Sequence, residues 1–442
     1  MVDLAYKYTR VSSASTPPDF STFPPVPNIF ANASINDAGY VTYEGLAGST
    51  TSYLPPSAIY SGNGSSSPTV LIDTTKYQFT DNTGKTYNSG IFFSPSNNSS
   101  ETVVFAGAGY DLGTQQVNAS GPTAIISVTN GSINNVTYNS TPFVLTALNP
   151  NKSINDLSNQ LAVGSFVSEP TINKQGTVAY IAGDSNLTSS IYTKNSSGAV
   201  TTIANTSGTS KFSDFLLGGL DVGRGEGPFA KYTIPDINDQ GSVAFNADLK
   251  GGGKGIFVGD GKSIDTVIAE TTDGPFSYFS LPSINDSGTV AFNTGFTSGG
   301  AAILEKTTDG KFTTVADTSS GSIFKDFKSD VALNQQGDVA FLADLNDGGT
   351  AIFTSSSSGL KKVIGVGDPL DGSTVTNLLI THSGLNSSGQ IAFDAVLANG
   401  GQEVFRADLV PVPAPSSISL LGLGMFSMIC YHWRRHAHKG GL

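Results

Sequence analysis

Short apolar runs rich in Val, Ile and Phe alternate with Gly-, Asn-, Asp- and Ser-rich punctuation along almost the whole chain. Runs such as Val290-Ala291-Phe292, Ala301-Ala302-Ile303-Leu304 and Thr314-Val315-Ala316 are too short for helices and carry β-branched or aromatic residues. They predict buried strands joined by tight turns. One run is different. Ser416 to Trp433 is mostly apolar and, as a helix of roughly 27 Å, is long enough to cross one hydrocarbon core.

The alternation carries a repeated phrase. Seven times an Asn is followed seven positions later by an aromatic residue, at Asn36/Tyr43, Asn98/Phe105, Asn173/Tyr180, Asn238/Phe245, Asn285/Phe292, Asn334/Phe341 and Asn386/Phe393. Gly stands three residues after the Asn in six copies (Gly39, Gly176, Gly241, Gly288, Gly337 and Gly389), and Glu101 takes that place in the second. Asn and Asp bond their own backbone two residues on, and Gly supplies the positive φ of a tight turn. These residues are therefore expected to build a turn ahead of each strand. A competing reading makes the Asn-Asp pairs repeated calcium or sugar ligands, but turn chemistry alone accounts for the residue types.

In the compact units the phrase is followed by a second short strand (Gly255-Ile256-Phe257-Val258, Ala351-Ile352-Phe353-Thr354) and a third (Thr266-Val267-Ile268-Ala269). A Phe-x-x-Phe stretch then leads into the next phrase, at Phe212/Phe215, Phe276/Phe279 and Phe324/Phe327. Four short strands per unit fit one propeller blade. Phe20 and Phe23 precede the first phrase in the same way, and the chain ends after Phe405 with the front half of a unit. The expected fold is all-β: a seven-bladed β-propeller of four-stranded blades over residues 1–409, closed by the N-terminal segment, plus a C-terminal transmembrane helix. Gly62 to Pro68 and Asn130 to Asn159 are expected to be surface insertions.

Composition narrows the function. Charged residues are 13% of the chain, and the formal net charge is −12. The tail from Val410 contains Arg434, Arg435 and Lys439 and no acids, so the body holds 20 basic against 35 acidic residues. Such a body repels phosphate backbones, which argues against a nucleic-acid partner. Cys430, Trp433 and three of the four His lie in the tail, leaving the body only His382. Disulfides, a Cys nucleophile and a His/Cys zinc set are excluded there, and a Ser-His-Asp triad would need His382. Carboxylate chemistry and oxygen-ligated calcium stay open.

No catalytic, cofactor-binding or metal residue is assigned. The body is expected to be a non-catalytic interaction or structural protein. The alternatives are a carboxylate-based polysaccharide-active enzyme and a calcium-stabilised structural repeat. Charges concentrate in Asp221-Val222-Gly223-Arg224-Gly225-Glu226-Gly227, which makes Asp221, Arg224 and Glu226 a candidate binding loop. Gly255 to Ser263 has a superficial phosphate-loop look, but its glycines are misspaced and no helix follows. Asp344-Leu345-Asn346-Asp347-Gly348 lacks the ligand spacing of a calcium loop and reads as a hairpin turn.

The tail divides into a proline-rich box (Val410, Pro411, Val412, Pro413, Ala414, Pro415), the apolar segment 416–433, and a basic end, 434–442, with Arg434 and Arg435. Tyr431 and Trp433 suit a membrane interface, and the basic cluster marks a cytoplasmic end. This three-part plan resembles the PEP-CTERM sorting signal, with Val412 or Ala414 where that signal usually has Glu. The resemblance implies export, anchoring in the inner membrane, and cleavage near the proline box by an exosortase-type enzyme. Residues 36–409 are similar to exported tandem-repeat proteins with an Asn-x-x-Gly-x-x-Ala-Phe signature. That similarity implies a propeller-like protein of the cell surface or extracellular matrix, near exopolysaccharide. Met1 to Tyr6 show neither a basic nor an apolar region of a signal peptide, so either the start of the exported chain lies upstream of Met1, which is the favoured expectation, or export uses the tail alone.

Overall fold

The computed structural model describes residues 4–12, 29–46, 57–74, 77–80, 83–87, 89–110, 120–145, 162–163, 166–167, 169–183, 188–215, 234–264, 266–270 and 274–411. Residues 8–407 form one compact unit, while 1–7 and 408–442 cluster as a second. In the second unit the described residues belong to two strands, Leu4–Arg10 and Gln402–Pro411, whose remaining lengths lie in the main unit.

The main unit is a seven-bladed β-propeller. The fifth blade shows the plan: Phe276–Phe279 with Ser283–Ile284 forms the inner strand, followed by Val290–Phe296, Ala301–Lys306 and the outer Phe312–Asp317. Each strand pairs antiparallel with the one before it. The second strands of the other blades are Val41–Leu46, Thr102–Tyr110, Val178–Gly183, Val243–Leu249, Val339–Leu345 and Ile391–Leu397.

These second strands are apolar on both faces because both faces meet another blade. Phe292 packs with Ala244 and Ile256 of the fourth blade, whereas Ala291 packs with Phe327 and Val331 of the sixth. A run buried on both sides loses the polar alternation of a half-exposed strand. All seven phrase aromatics are buried. Several stack on the aromatic opposite them in the third strand, as Tyr43 does on Tyr60 at 5.3 Å and Phe393 on Phe405 at 5.7 Å. The Phe-x-x-Phe pairs touch within the inner strand, at 5.6 Å for Phe212/Phe215 and 5.3 Å for Phe324/Phe327.

The two ends of the chain share the seventh blade, as expected. Its sheet runs Ser373–Leu379, Ile391–Leu397, Gln402–Pro411 and then Leu4–Arg10 as the outer strand. Within the main unit, Val11 N donates to Val404 O at 2.9 Å, Val404 N donates to Ser12 Oγ at 2.9 Å, and Ser12 Oγ donates to Glu403.

Of the two expected insertions, the first is a loop and the second carries a strand. Gly62 to Pro68 spans only a turn between Ser57–Gly62 and Thr69–Asp73. The second supposed insertion begins with a hairpin: Asn130 and Gly131 both adopt positive φ, 49° and 75°, and Thr129 pairs with Ser132 at the head of the strand Ser132–Leu145. Asn-Gly is the strongest two-residue hairpin signal, and it outweighs the polar composition after it. The last strand also continues into the proline box, through Val410 and Pro411. Phe20 and Phe23, the segment 416–433 and the basic end lie outside the described residues. Among the described residues no helix is long and apolar enough to cross a membrane.

Candidate functional site

The phrase residues are architectural first. Each phrase Asn carbonyl accepts the N–H three residues on, closing the turn, as in Gly288 N to Asn285 O at 3.0 Å. Positive φ at that third position runs from 73° at Gly389 to 84° at Gly241, and Glu101 adopts 58° in the copy without Gly. The Asn side-chain oxygen accepts the N–H four residues on in every copy, Asn285 Oδ1 from Thr289 N at 3.1 Å for example. So far this is the expected turn chemistry.

The side-chain nitrogen adds a role that turn chemistry does not predict. Asn36 Nδ2 donates to the Asn98 carbonyl, Asn98 to Asn173, Asn173 to Asn238 and Asn238 to Asn285, at 3.0 to 3.1 Å. Asn285 donates to Asn334 at 3.3 Å, Asn334 to Asn386 at 3.1 Å, and Asn386 back to Asn36 at 2.9 Å. The seven amides form a closed hydrogen-bonded ring around the axis, each buried. Buried amides must be satisfied, and here each is used twice: its oxygen inside its own turn, its nitrogen on the next blade. Turn building therefore explained only half of the phrase, and the repeated Asn are committed to the protein itself rather than to a ligand.

The residues after these Asn are Asp37, Ser99, Lys174, Asp239, Asp286, Gln335 and Ser387, and all but Asp286 line one cavity at the mouth of the channel. Several also reach the adjoining blade. Asp286 accepts from Asp239 N at 2.8 Å, Gln335 from Asp286 N at 2.8 Å, and Asp37 from Ser387 N at 2.8 Å. The Lys174 ammonium sits 3.0 Å from Asp37 and 3.5 Å from Asp239. Burial pushes the Asp37 carboxyl up, but the Ser387 hydrogen bonds and the Lys174 ammonium outweigh it and hold it below its ordinary value. Burial leaves Asp286 above its ordinary value.

A second ring lies four residues before each Asn: Asn32, Ser94, Glu169, Ile234, Leu281, Asp330 and His382. Taken around the axis, Asp330, His382, Asn32, Ser94 and Glu169 make a contiguous polar arc, while Ile234 packs on Leu281. Two cavities lie along the channel. An outer one of about 140 Å³ is lined by the phrase residues, and an inner one of about 30 Å³ is lined by this second ring. His382 and Ser383 line both. Between the rings Asp236 accepts from Ile284 N at 2.8 Å and Ser283 Oγ at 3.0 Å, and burial raises its carboxyl to about 6.

His382 thus has a place that its sequence context did not disclose. The signal available was the offset: reading four positions back from every phrase Asn collects the ring. Among the described residues, no group of three or more His, Cys, Asp or Glu side chains could hold a metal ion. The candidate loop Asp221, Arg224 and Glu226 lies outside the described residues, as do Val412, Pro413, Ala414, Pro415, Arg434 and Arg435.

A model of a family of unknown function, DUF7453, matches residues 13–253 and 217–419. No curated protein matches the sequence. Among solved structures, prolyl oligopeptidase B from Galerina marginata is 11% identical with a TM-score of 0.46, covering 88% of this chain and 50% of its own. The chain therefore spans half the length of that protein. The polysaccharide lyase Uly1 is 10% identical with a TM-score of 0.43, over 88% of this chain and 91% of its own. The lectin BP39L from Burkholderia pseudomallei is 9% identical with a TM-score of 0.40, over 88% and 99%.

Proposed function

The chain belongs to this family of unknown function, and from that premise we propose that it is an exported, non-catalytic interaction propeller of the cell surface or matrix. Its tail anchors it in the inner membrane until an exosortase-type enzyme cuts near the proline box, and its body works near exopolysaccharide. The observation that carries the non-catalytic reading is the Asn ring: the residue repeated in all seven blades is consumed inside the protein on both its side-chain atoms. The resemblance of the tail to a sorting signal supports the export reading. The acidic, thiol-free body suits a role outside the cell.

The test is the intact mass of the protein recovered from the envelope and medium of its host. A species ending between Pro411 and Pro415 is expected; only full-length protein in the inner membrane would overturn the sorting reading. Residues 1–411 should release no reducing ends from the host's own exopolysaccharide. Release would favour the rival, a carboxylate-based glycosidase or lyase.

A further inference from the structure

The large apolar side chains left exposed on this protein are not scattered. Among the described residues there are nine, and six of them lie on the face that carries the phrase turns: Tyr40, Val70, Ile133, Val200, Phe312 and Leu360, between 37% and 54% exposed. Strand register puts them there. In a blade the second strand leaves the phrase turn and the third returns, so the turn into the outer strand lies level with the phrase. Val290 pairs with Lys306 and Lys306 with Phe312. Val178, Lys194 and Val200 line up in the same way, as do Val339, Ser355 and Leu360. Val70 and Ile133 follow the corresponding turns of the first and second blades, and Tyr40 closes the first phrase turn. Five blades thus present an apolar residue on one face. Ile323 and Val366 lie on the other, after the outer strands of the fifth and sixth blades.

Charge is sparse at the same rim. The body holds 20 basic against 35 acidic residues, yet the turns 63–68, 130–131, 195–199 and 357–358 hold none of either, and 307–311 balances Asp309 with Lys311. Only the turn of the fourth blade, 260–265, has an acidic excess, and it carries none of the six exposed residues. Apolar groups on an uncharged rim leave water without a charge being desolvated beside them, which suits a surface that is covered in use.

The chain also leaves the main unit on this face. Ala407, the last residue of that unit, pairs with Ile391, the first residue of the second strand in the seventh blade. Eight residues separate Ala407 from Ser416, where the apolar run begins. A tether of that length spans at most about 30 Å. An anchor in that run therefore brings this face to the bilayer rather than the opposite one.

We propose that this rim is a membrane-contact surface: while the tail holds the protein, Val70, Ile133, Val200, Phe312 and Leu360 rest in the headgroup zone of the same bilayer. The proposal rests on the anchoring reading above, and its test tells the two apart. A lipid surface is the occupant because the tether is short and the rim uncharged. The contact is apolar, so salt leaves it unchanged.

Trp433 is the only Trp in the chain, so in the parent it reports on the tail. In a Trp433→Phe background, Leu360→Trp and Val200→Trp report on the rim, and Ile323→Trp reports on the opposite face. Each full-length protein is reconstituted in phosphatidylcholine vesicles with brominated acyl chains, which quench a Trp that touches them. A rim Trp lying roughly 5–10 Å into the interface should lose about half of its emission, in low and high salt alike. The Ile323→Trp variant should keep its emission. Quenching of the parent without quenching of either rim variant leaves the anchor standing and overturns the rim. Rim quenching without quenching of the parent supports the surface and removes the anchor. Quenching of neither overturns both. Equal quenching of Ile323→Trp overturns the choice of face. Shielding of Leu360→Trp that grows with protein concentration in the absence of vesicles would put a second copy of the chain on the rim and overturn the lipid surface.

Discussion

The side-chain amide of Asn386 donates to the main-chain carbonyl of Asn36, 350 residues earlier, at 2.9 Å. This is the same bond that Asn285 makes to Asn334 within the body of the ring. The blades at the two ends of the chain are thus joined at the axis by the lock that joins every other pair. At the rim of the seventh blade the closure is different in kind, made by Val11 and Ser12 against Val404 and Glu403.

Asn386→Asp should separate lock from turn. The remaining oxygen can still accept from Ser388 N and Gln390 N, but the donor to Asn36 is gone and a carboxylate faces a carbonyl. We expect a loss of roughly 1–3 kcal/mol, the usual cost of stranding a buried polar group. Urea unfolding measures it, and a midpoint equal to the parent's would refute the lock.

Removing residues 1–12 should lower the melting temperature of the whole body, because the outer strand of the seventh blade and the bonds at Val404 go together. Ser12→Ala is the milder form, removing the hydroxyl that Val404 N and Glu403 share, at a cost of about 1–2 kcal/mol. Scanning calorimetry should show one shifted transition; an unshifted one in the truncation would mean that the ring closes without its N-terminal strand.

Asp394 makes stability depend on pH. It is buried beside the first blade, with the main-chain N–H groups of Asn32 and Ala33 facing it without completing a hydrogen bond. Burial raises its carboxyl from an ordinary 3.8 to about 8. The folded protein therefore holds a proton that the unfolded chain releases, so this contribution is full below about pH 4. It declines by up to roughly 1.4 kcal/mol per pH unit until about pH 8, then levels off. Asp394→Asn should flatten the decline in melting temperature over that range. A variant as steep as the parent would place the dependence elsewhere.

The turns predict opposite effects at equivalent positions. Glu101 is an exposed non-Gly residue held at φ 58°, so Glu101→Gly should gain roughly 0.5–1 kcal/mol. Gly288→Ala should lose about 1–2 kcal/mol, since its φ is 77° and a Cβ would come within 2.6 Å of Thr308. Chemical denaturation of both variants checks the pair, and a stabilising Gly288→Ala would contradict the geometry.

What the sequence by itself determined is the local and repeated part. Asn and an aromatic at the seventh place, with Gly at the third in six of the seven copies, mark each turn and strand at fixed offsets, because turn geometry and strand burial act over a few residues. Seven such phrases with split ends implied seven blades and a shared last blade, and both are present. The hairpin at Asn130-Gly131 was legible by the same rule, but the polar stretch after it concealed the strand. Only the tertiary structure decided where each Asn nitrogen goes. Its partner lies 47 to 75 residues away, or 350 at the seam, and nothing in the local pattern points across that distance. The same holds for Asp330 and His382, ordinary residues in the chain that become neighbours in a ring because inner strands of separate blades converge on one axis.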